Sequence, residues 1–159
     1  MSRVSRIAVW GLGKHAINRI LPAINRVEGL QLLGICSRKN SVVKEYSQIM
    51  GCHGWTDPNA MLNKLELDIV YLATPIGLHA EQGMHVLQSG KHLWCEKPFS
   101  CEFDKSEALI KLSRSGGLSV AEGFMYLHHT QFKEVQNRIQ TGTFGNIKDV
   151  SLRFGMPLL

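Results

Sequence analysis

No apolar run in this 159-residue chain approaches the roughly 20 residues needed to span a bilayer. The opening MSRVSRIAVW begins basic, but its apolar stretch breaks at Gly11 and is too short for a signal peptide. A cytoplasmic protein with no membrane partner is expected. The four cysteines, Cys36, Cys52, Cys95 and Cys101, form no CxxC pair and no zinc spacing, so they read as reduced core thiols. His79 and His85 fall on different helix faces, and the adjacent His128 and His129 are badly placed to share a metal; none is expected. The net charge of +5 is scattered, with no Lys/Arg block interleaved with aromatics. That argues against a nucleic-acid partner and suits small anionic ligands.

What is present is a globular composition, 44% apolar and 19% charged. The length suffices for one ordinary domain, or for one domain and the beginning of another. Short apolar runs ending in turn residues alternate with helical stripes. Ile7 to Trp10 reads as a buried strand running into GLGKHA. Ile17, Ile20, Leu21, Ile24 and Val27 then recur at helical spacing, with Pro22 expected to kink the helix and Gly29 to end it. LQLLGICS is a second strand. Ser41 is expected to cap a helix with the stripe Val42, Val43, Tyr46, Ile49 and Met50, closed by Gly51.

HGW is a brief third strand, and Asp57 followed by Pro58 starts a helix running to Leu65. DIVYLATP and KHLWCEKP read as the fourth and fifth strands, separated by a helix with Ala80, Met84 and Leu87 inward. A helix containing Ala108, Leu109 and Leu112 leads to the sixth strand, in GLSVAEG. Strands that are apolar on both faces and alternate with helices specify a parallel sheet covered on both sides. With right-handed crossovers the expected class is α/β, a doubly wound dinucleotide-binding sheet. After Gly123 the rhythm changes. QFKEVQNRIQTGTFG reads as a helix, and NIKDVSLRFGMPLL as a half-exposed antiparallel strand. The predicted boundaries are residues 1–123 for the nucleotide-binding domain and 124–159 for the start of a second one.

The first turn carries the chemistry. Gly11, Gly13 and Ala16 form G-x-G-x-x-A directly after a strand and at the opening of a helix. The first glycine permits a tight turn, the second lets a pyrophosphate approach the backbone, and the alanine lets helix and strand pack closely. The whole loop, Gly11, Leu12, Gly13, Lys14, His15 and Ala16, is therefore a candidate cofactor contact. At the end of the second strand stands CSRKN, with no acid between Gln31 and Asn40 to accept bonds from a ribose 2′-hydroxyl. Ser37, Arg38 and Lys39 attract a 2′-phosphate instead, so NADP is favoured over NAD.

Ala73, Thr74 and Pro75 close the fourth strand at the same sheet edge. His79 opens the next helix and joins the candidate contacts, with packing or capping as its plainer alternative role. Glu96 and Lys97 close the fifth strand there too and join the candidate cofactor contacts, before Pro98 fixes the turn. A neutralising pair between Glu96 and Lys97 is the simplest account of those two neighbours.

Together GLGKHA, ATPIGLHAE, EKPFS and VAEGFMYLHHTQF resemble the Gfo/Idh/MocA family of NAD(P)-dependent sugar and cyclitol oxidoreductases. The resemblance implies an intact Rossmann domain followed by the truncated start of a second, α+β domain, and a homo-oligomer in the full-length form. RILPAI, FMYLHH and RFGMP look most similar to the C-3 ketoreductases of deoxysugar biosynthesis, which reduce a nucleotide-linked 3-ketosugar with NADPH. On this resemblance Lys97 is the catalytic lysine, hydrogen-bonded to the reacting oxygen of a small sugar substrate, and Ser37 and Arg38 hold the cofactor phosphate. Ile76 stands where the family often has Asn. The family's second acid/base, a Tyr or His of the C-terminal domain, has no counterpart here. The reading from another class is a non-catalytic dinucleotide-binding module acting as a sensor or interaction domain.

Overall fold

The computed structural model describes residues 4–64, 66–153 and 155. The chain divides into two compact units, Met1–Gly123 and Phe124–Leu159. The first is built on a six-stranded sheet of order β3-β2-β1-β4-β5-β6. Its strands are β1 Ser5–Trp10, β2 Leu30–Cys36, β3 His53–Trp55, β4 Ile69–Leu72, β5 His92–Cys95 and β6 Val120–Glu122, all paired in parallel. The order reverses between β1 and β4. That is the position at which a doubly wound sheet opens a crevice at the carboxyl ends of its strands.

Alternation along each strand feeds two separate cores. Ala8, Trp10, Val70, Leu72, Leu93 and Cys95 pack on one face with Met61, Leu62, Val86, Leu87 and Leu109. Ile7, Val9, Ile35 and Tyr71 face the other way, against Ala16, Leu21 and Ile24. Side chains at i and i+2 share a face, so runs apolar at every position are what a sheet covered on both sides requires. The β1–β2 register slips by one between Ile7 and Ala8. Just beyond the slip, Gly34 lies under Trp55, whose ring a Cβ there would meet at 2.3 Å.

The helix entered from β1 differs from its expected form. Ala16–Ile20 is a π-helical turn, followed by regular α1, Leu21–Ile24, with Pro22 in its first turn. Proline lacks an N–H and crowds the carbonyl four residues back, and the widened turn directly before it relieves both problems. The helix ends at Ile24, so Val27 is exposed rather than part of the stripe, and Gly29, at φ +86°, serves the turn into β2.

Helix α2 spans Asn40–Met50, with Lys39 rather than Ser41 at its N-cap and Gly51 in the left-handed conformation at its end. Val43 is buried on its inner side, whereas Ile49 is exposed. Asp57 caps α3, Pro58–Leu62, by accepting a bond from the Asn59 amide at 3.0 Å. The predicted end of that helix at Leu65 lies outside the described residues. Helices α4, His79–Gln88, and α5, Phe103–Ser115, complete the unit.

The second unit contains a 3-10 turn, Met125–His128, and α6, Thr130–Gln140, whose Gln131 amide donates to the capping His129 side chain at 3.2 Å. Phe124, Tyr126 and Phe132 form consecutive ring contacts there. The strand expected in NIKDVSLRFGMPLL does not form among the described residues 146–153 and 155. A strand exists only through a backbone partner, and alternation by itself supplies none. Among the described residues, no helix is long and apolar enough to cross a membrane.

Candidate functional site

The glycine turn is pressed onto the end of β4. The Gly11 amide donates to the Cys36 carbonyl at 2.9 Å, and the Ala73 amide donates to the Trp10 carbonyl at 2.8 Å. Gly11 sits at φ +107°, where a Cβ would meet the Ala73 carbonyl oxygen at 2.5 Å and the Thr74 nitrogen at 2.7 Å. Glycine is required there by conformation and by space alike. Gly13 is different, because a Cβ would meet nothing within 4 Å. The room beside Gly13 is open, and the first helical bond, from Ile17 N–H to the Gly13 carbonyl, lies behind it. Amides ahead of that bond have no helical acceptor and are free to meet an anion. Ala16 is fully buried against the sheet, while Lys14 and His15 are exposed.

The same edge holds the end of β2. Ser37 donates its amide to the Trp55 carbonyl at 3.1 Å, and its hydroxyl lies 3.5 Å from the Lys39 amide. Arg38 and Lys39 are exposed. The bond from Gly11 to Cys36 fixes this cationic corner one residue from the glycine turn.

Beyond β5 the chain is fastened at every step. Glu96 donates its amide to the Leu72 carbonyl at 2.9 Å. Its Oε1 accepts the Tyr71 hydroxyl and lies 3.0 Å from His15 Nε2, and its Oε2 accepts the Lys97 amide at 3.3 Å. The Lys97–Pro98 peptide is cis. The Pro98 carbonyl is 2.8 Å from His79 Nδ1, and the Phe99 amide donates to Glu122 Oε1 at 2.7 Å. Lys97 is exposed, and among the described residues its ammonium makes no ion pair. The expected Glu96–Lys97 neutralising pair is therefore absent. The carboxylate is turned to Tyr71 and His15, and the segment becomes a fixed pedestal for a free cation.

Burial, and after it the hydrogen bond to Glu96, push the Tyr71 phenol well above its ordinary range, so Tyr71 stays a donor. Burial likewise raises the Cys36 thiol to about 12, with the Asp57 charge adding to it, and raises Cys95 to about 12. Neither is a thiolate nucleophile at neutral pH.

Thr74 is held by its side chain, whose hydroxyl donates to Gln82 Oε1 at 2.6 Å, and Pro75 beside it is exposed. His79 departs from its expected place among cofactor contacts. It is 2% exposed and both ring nitrogens face backbone carbonyls, so it presents no free atom to a ligand. Ile76 is partly open to solvent, in a 3-10 turn, Ile76–Leu78.

Three residues of this arrangement escape sequence reasoning: Tyr71, Gln82 and Glu122. Only Tyr71 leaves a signal, a hydroxyl inside a strand apolar on both faces, which has to find a partner when buried. Among the described residues, no group of His, Cys, Asp or Glu is placed to hold a metal ion.

The chain is 29% identical over 155 residues to the dTDP-3,4-didehydro-2,6-dideoxy-alpha-D-glucose 3-reductase of Streptomyces violaceoruber, covering 98% of this chain and 45% of that protein. It is 32% identical over 152 residues to the enzyme of the same name from Actinomadura kijaniata, covering 96% of this chain and 46% of that one. The crystal structure of a 3-ketoreductase from Actinomadura kijaniata, in complex with TDP-benzene and NADP, superposes with a TM-score of 0.81 at 32% identity. That match covers 87% of this chain and 44% of the other. The chain thus spans a little under half the length of these relatives. Residues 5–124 match the Gfo/Idh/MocA oxidoreductase family through its NAD-binding Rossmann fold, and it is to this family that the chain belongs.

Proposed function

We propose that the chain is the NADP-holding part of an oxidoreductase that moves a hydride between nicotinamide and a sugar-type ketone or alcohol, a nucleotide-linked 3-ketosugar being the favoured substrate. The observation that carries this reading is the meeting of two loops at one sheet edge. His15 of the glycine turn lies 3.0 Å from Glu96, whose neighbour is Lys97. The residues fit the cofactor: Gly11 is forced by its surroundings, the space at Gly13 is open, and a serine and two cations stand where a 2′-phosphate needs partners. The related 3-ketoreductase was crystallised with NADP, which supports the same choice.

In this reading the open amides around Gly13 to Ala16 meet the pyrophosphate, and Ser37, Arg38 and Lys39 hold the 2′-phosphate by charge-assisted bonds. Ala73, Thr74 and Pro75 line the crevice beside the glycine turn. When bound, the reduced nicotinamide supplies a hydride to the ketone carbon. The Lys97 ammonium, paired with no carboxylate among the described residues, donates to the substrate oxygen and stabilises the negative charge that develops there. Glu96, fixed by Tyr71 and His15, holds the backbone from which that lysine projects.

Parallel titration with NADPH and NADH, read by tryptophan quenching, tests the assignment. NADPH is expected to bind at least about tenfold more tightly, and Arg38→Ala to erase most of that difference. Equal, weak binding of both would sink it. Tight NADPH binding by a chain as long as the relatives, with no turnover of any ketosugar, would favour the sensor reading.

A further inference from the structure

A side chain of the glycine turn reaches the lysine loop. His15 Nε2 lies 3.0 Å from Glu96 Oε1, and Glu96 Oε2 accepts the amide of Lys97 at 3.3 Å. A carboxylate oxygen only accepts, so Nε2 carries the proton of this contact. The neutral Nε2–H ring supplies it as well as the doubly protonated one, and the bond needs no particular charge on the histidine. We infer that His15 is a positioning residue for Lys97, a tie through which a ligand that settles the glycine turn also settles the lysine loop. The lysine's use in hydride transfer rests on the function proposed above, but the tie itself does not.

Strand order makes the path short. β4 lies between β1 and β5, and Tyr71 is in register with Val9 on one side and Trp94 on the other. Tyr71, Trp94 and Ala16 pack on one face of the sheet. Glu96, two residues beyond Trp94, continues that face, so its carboxylate meets both the Tyr71 hydroxyl and the start of the helix that Ala16 begins. The backbone of His15 is fixed on both sides. Ala16 is buried, and the Ile17 amide donates to the Gly13 carbonyl at 3.0 Å. Where the turn goes, the ring goes.

The two donors to Glu96 differ in what they respond to. Tyr71 stands inside the sheet, and its hydroxyl holds the carboxylate whatever lies in the crevice. His15 belongs to the turn whose amides are open to an anion. Its side chain is 47% exposed against 16% for that of Glu96, so the bond adds little to overall stability and is made or lost without disturbing the core. The next fastening of the loop, from the Phe99 amide to Glu122 at 2.7 Å, comes from β6 and bypasses the turn. Phe99 is therefore an internal control for Lys97.

Solvent exchange of the Lys97 amide, followed by NMR in the 15N-labelled chain, tests the tie. Without ligand, His15→Ala is expected to quicken exchange at Lys97 about threefold or more and to leave Phe99 unchanged. His15→Gln, whose side-chain amide donates over a similar reach, is expected to restore the wild-type rate. With saturating NADPH, exchange at Lys97 is expected to slow about threefold or more in the wild type and in Tyr71→Phe, but not in His15→Ala. Unaltered Lys97 exchange in ligand-free His15→Ala would overturn the proposal, whether or not NADPH affinity falls. Equal quickening at Lys97 and Phe99 would do the same, because it marks general loosening. NADPH protection of Lys97 that survives in His15→Ala would refute the link to the ligand. A wild-type chain that does not bind NADPH would remove the proposed function and leave the ligand-free comparison to decide the tie.

Discussion

The Cβ that Gly11 lacks would fall 2.5 Å from the Ala73 carbonyl oxygen, so the glycine turn and the end of β4 are in closest contact at the one place where no side chain fits. Gly11→Ala is expected to cost about 1–3 kcal/mol from backbone strain alone, and more from displacing β4, with loss of NADPH binding. Gly13→Ala adds a methyl group to open space. It is expected to leave the denaturation midpoint within about 0.5 kcal/mol of wild type while weakening NADPH at least about tenfold. Urea denaturation and NADPH titration of the pair check this. Equal destabilisation by both substitutions would contradict the distinction.

Lys97→Met removes a cation with no ion-pair partner among the described residues. Stability is expected to stay within about 0.5 kcal/mol and NADPH affinity within about twofold. Hydride transfer, assayed in a chain of the relatives' full length, should collapse. Parallel losses of cofactor affinity and turnover would assign the lysine to binding instead.

Tyr71→Phe deletes the hydroxyl that Glu96 accepts and leaves a half-buried carboxylate with one donor fewer. A cost of about 1–3 kcal/mol is expected, measured by chemical denaturation. His15→Ala removes the exposed partner of the same carboxylate and should cost less, because water replaces an exposed partner. The reverse ranking would place the weight of the network on the surface.

Cys36 and Cys95 have thiols raised from 9.0 to about 12, chiefly by burial. A folded-state value above the unfolded one means that the folded protein binds the proton more tightly. The stabilisation is complete below about 9 and is lost as pH climbs towards 12. Unfolding free energy is expected to fall across that window, and Cys95→Ala to flatten the profile relative to its own neutral-pH value. A level profile in the unaltered chain would show that the thiols are less enclosed than the structure has them.

Much of the sheet was legible because its signals are local. The apolar runs, Gly51 at a helix end and the Asp57–Pro58 start each act within a few residues. What escaped depends on partners far along the chain. Glu96 reads as a mate for Lys97 because the two are adjacent, yet successive residues of an extended chain project to opposite sides. Its actual partners, Tyr71 and His15, arrive only when β1, β4 and β5 lie side by side. The pattern of residues 146–159 suggested a strand because alternation records which faces differ, not whether a neighbouring backbone is there. Val27 differs again, since the helical stripe continues in the sequence past Ile24, where the chain turns towards β2.

The central place of β1 has a consequence for synthesis. Synthesised before the other five strands, β1 finds β2 within a few dozen residues, but its other neighbour is far off, as the bond from the Arg6 amide to Asp68, 62 positions later, makes plain. Until that length has been translated one flank of β1 stays bare, so the nascent chain passes through a stage that invites chaperone capture and cleavage, and the crevice is assembled late.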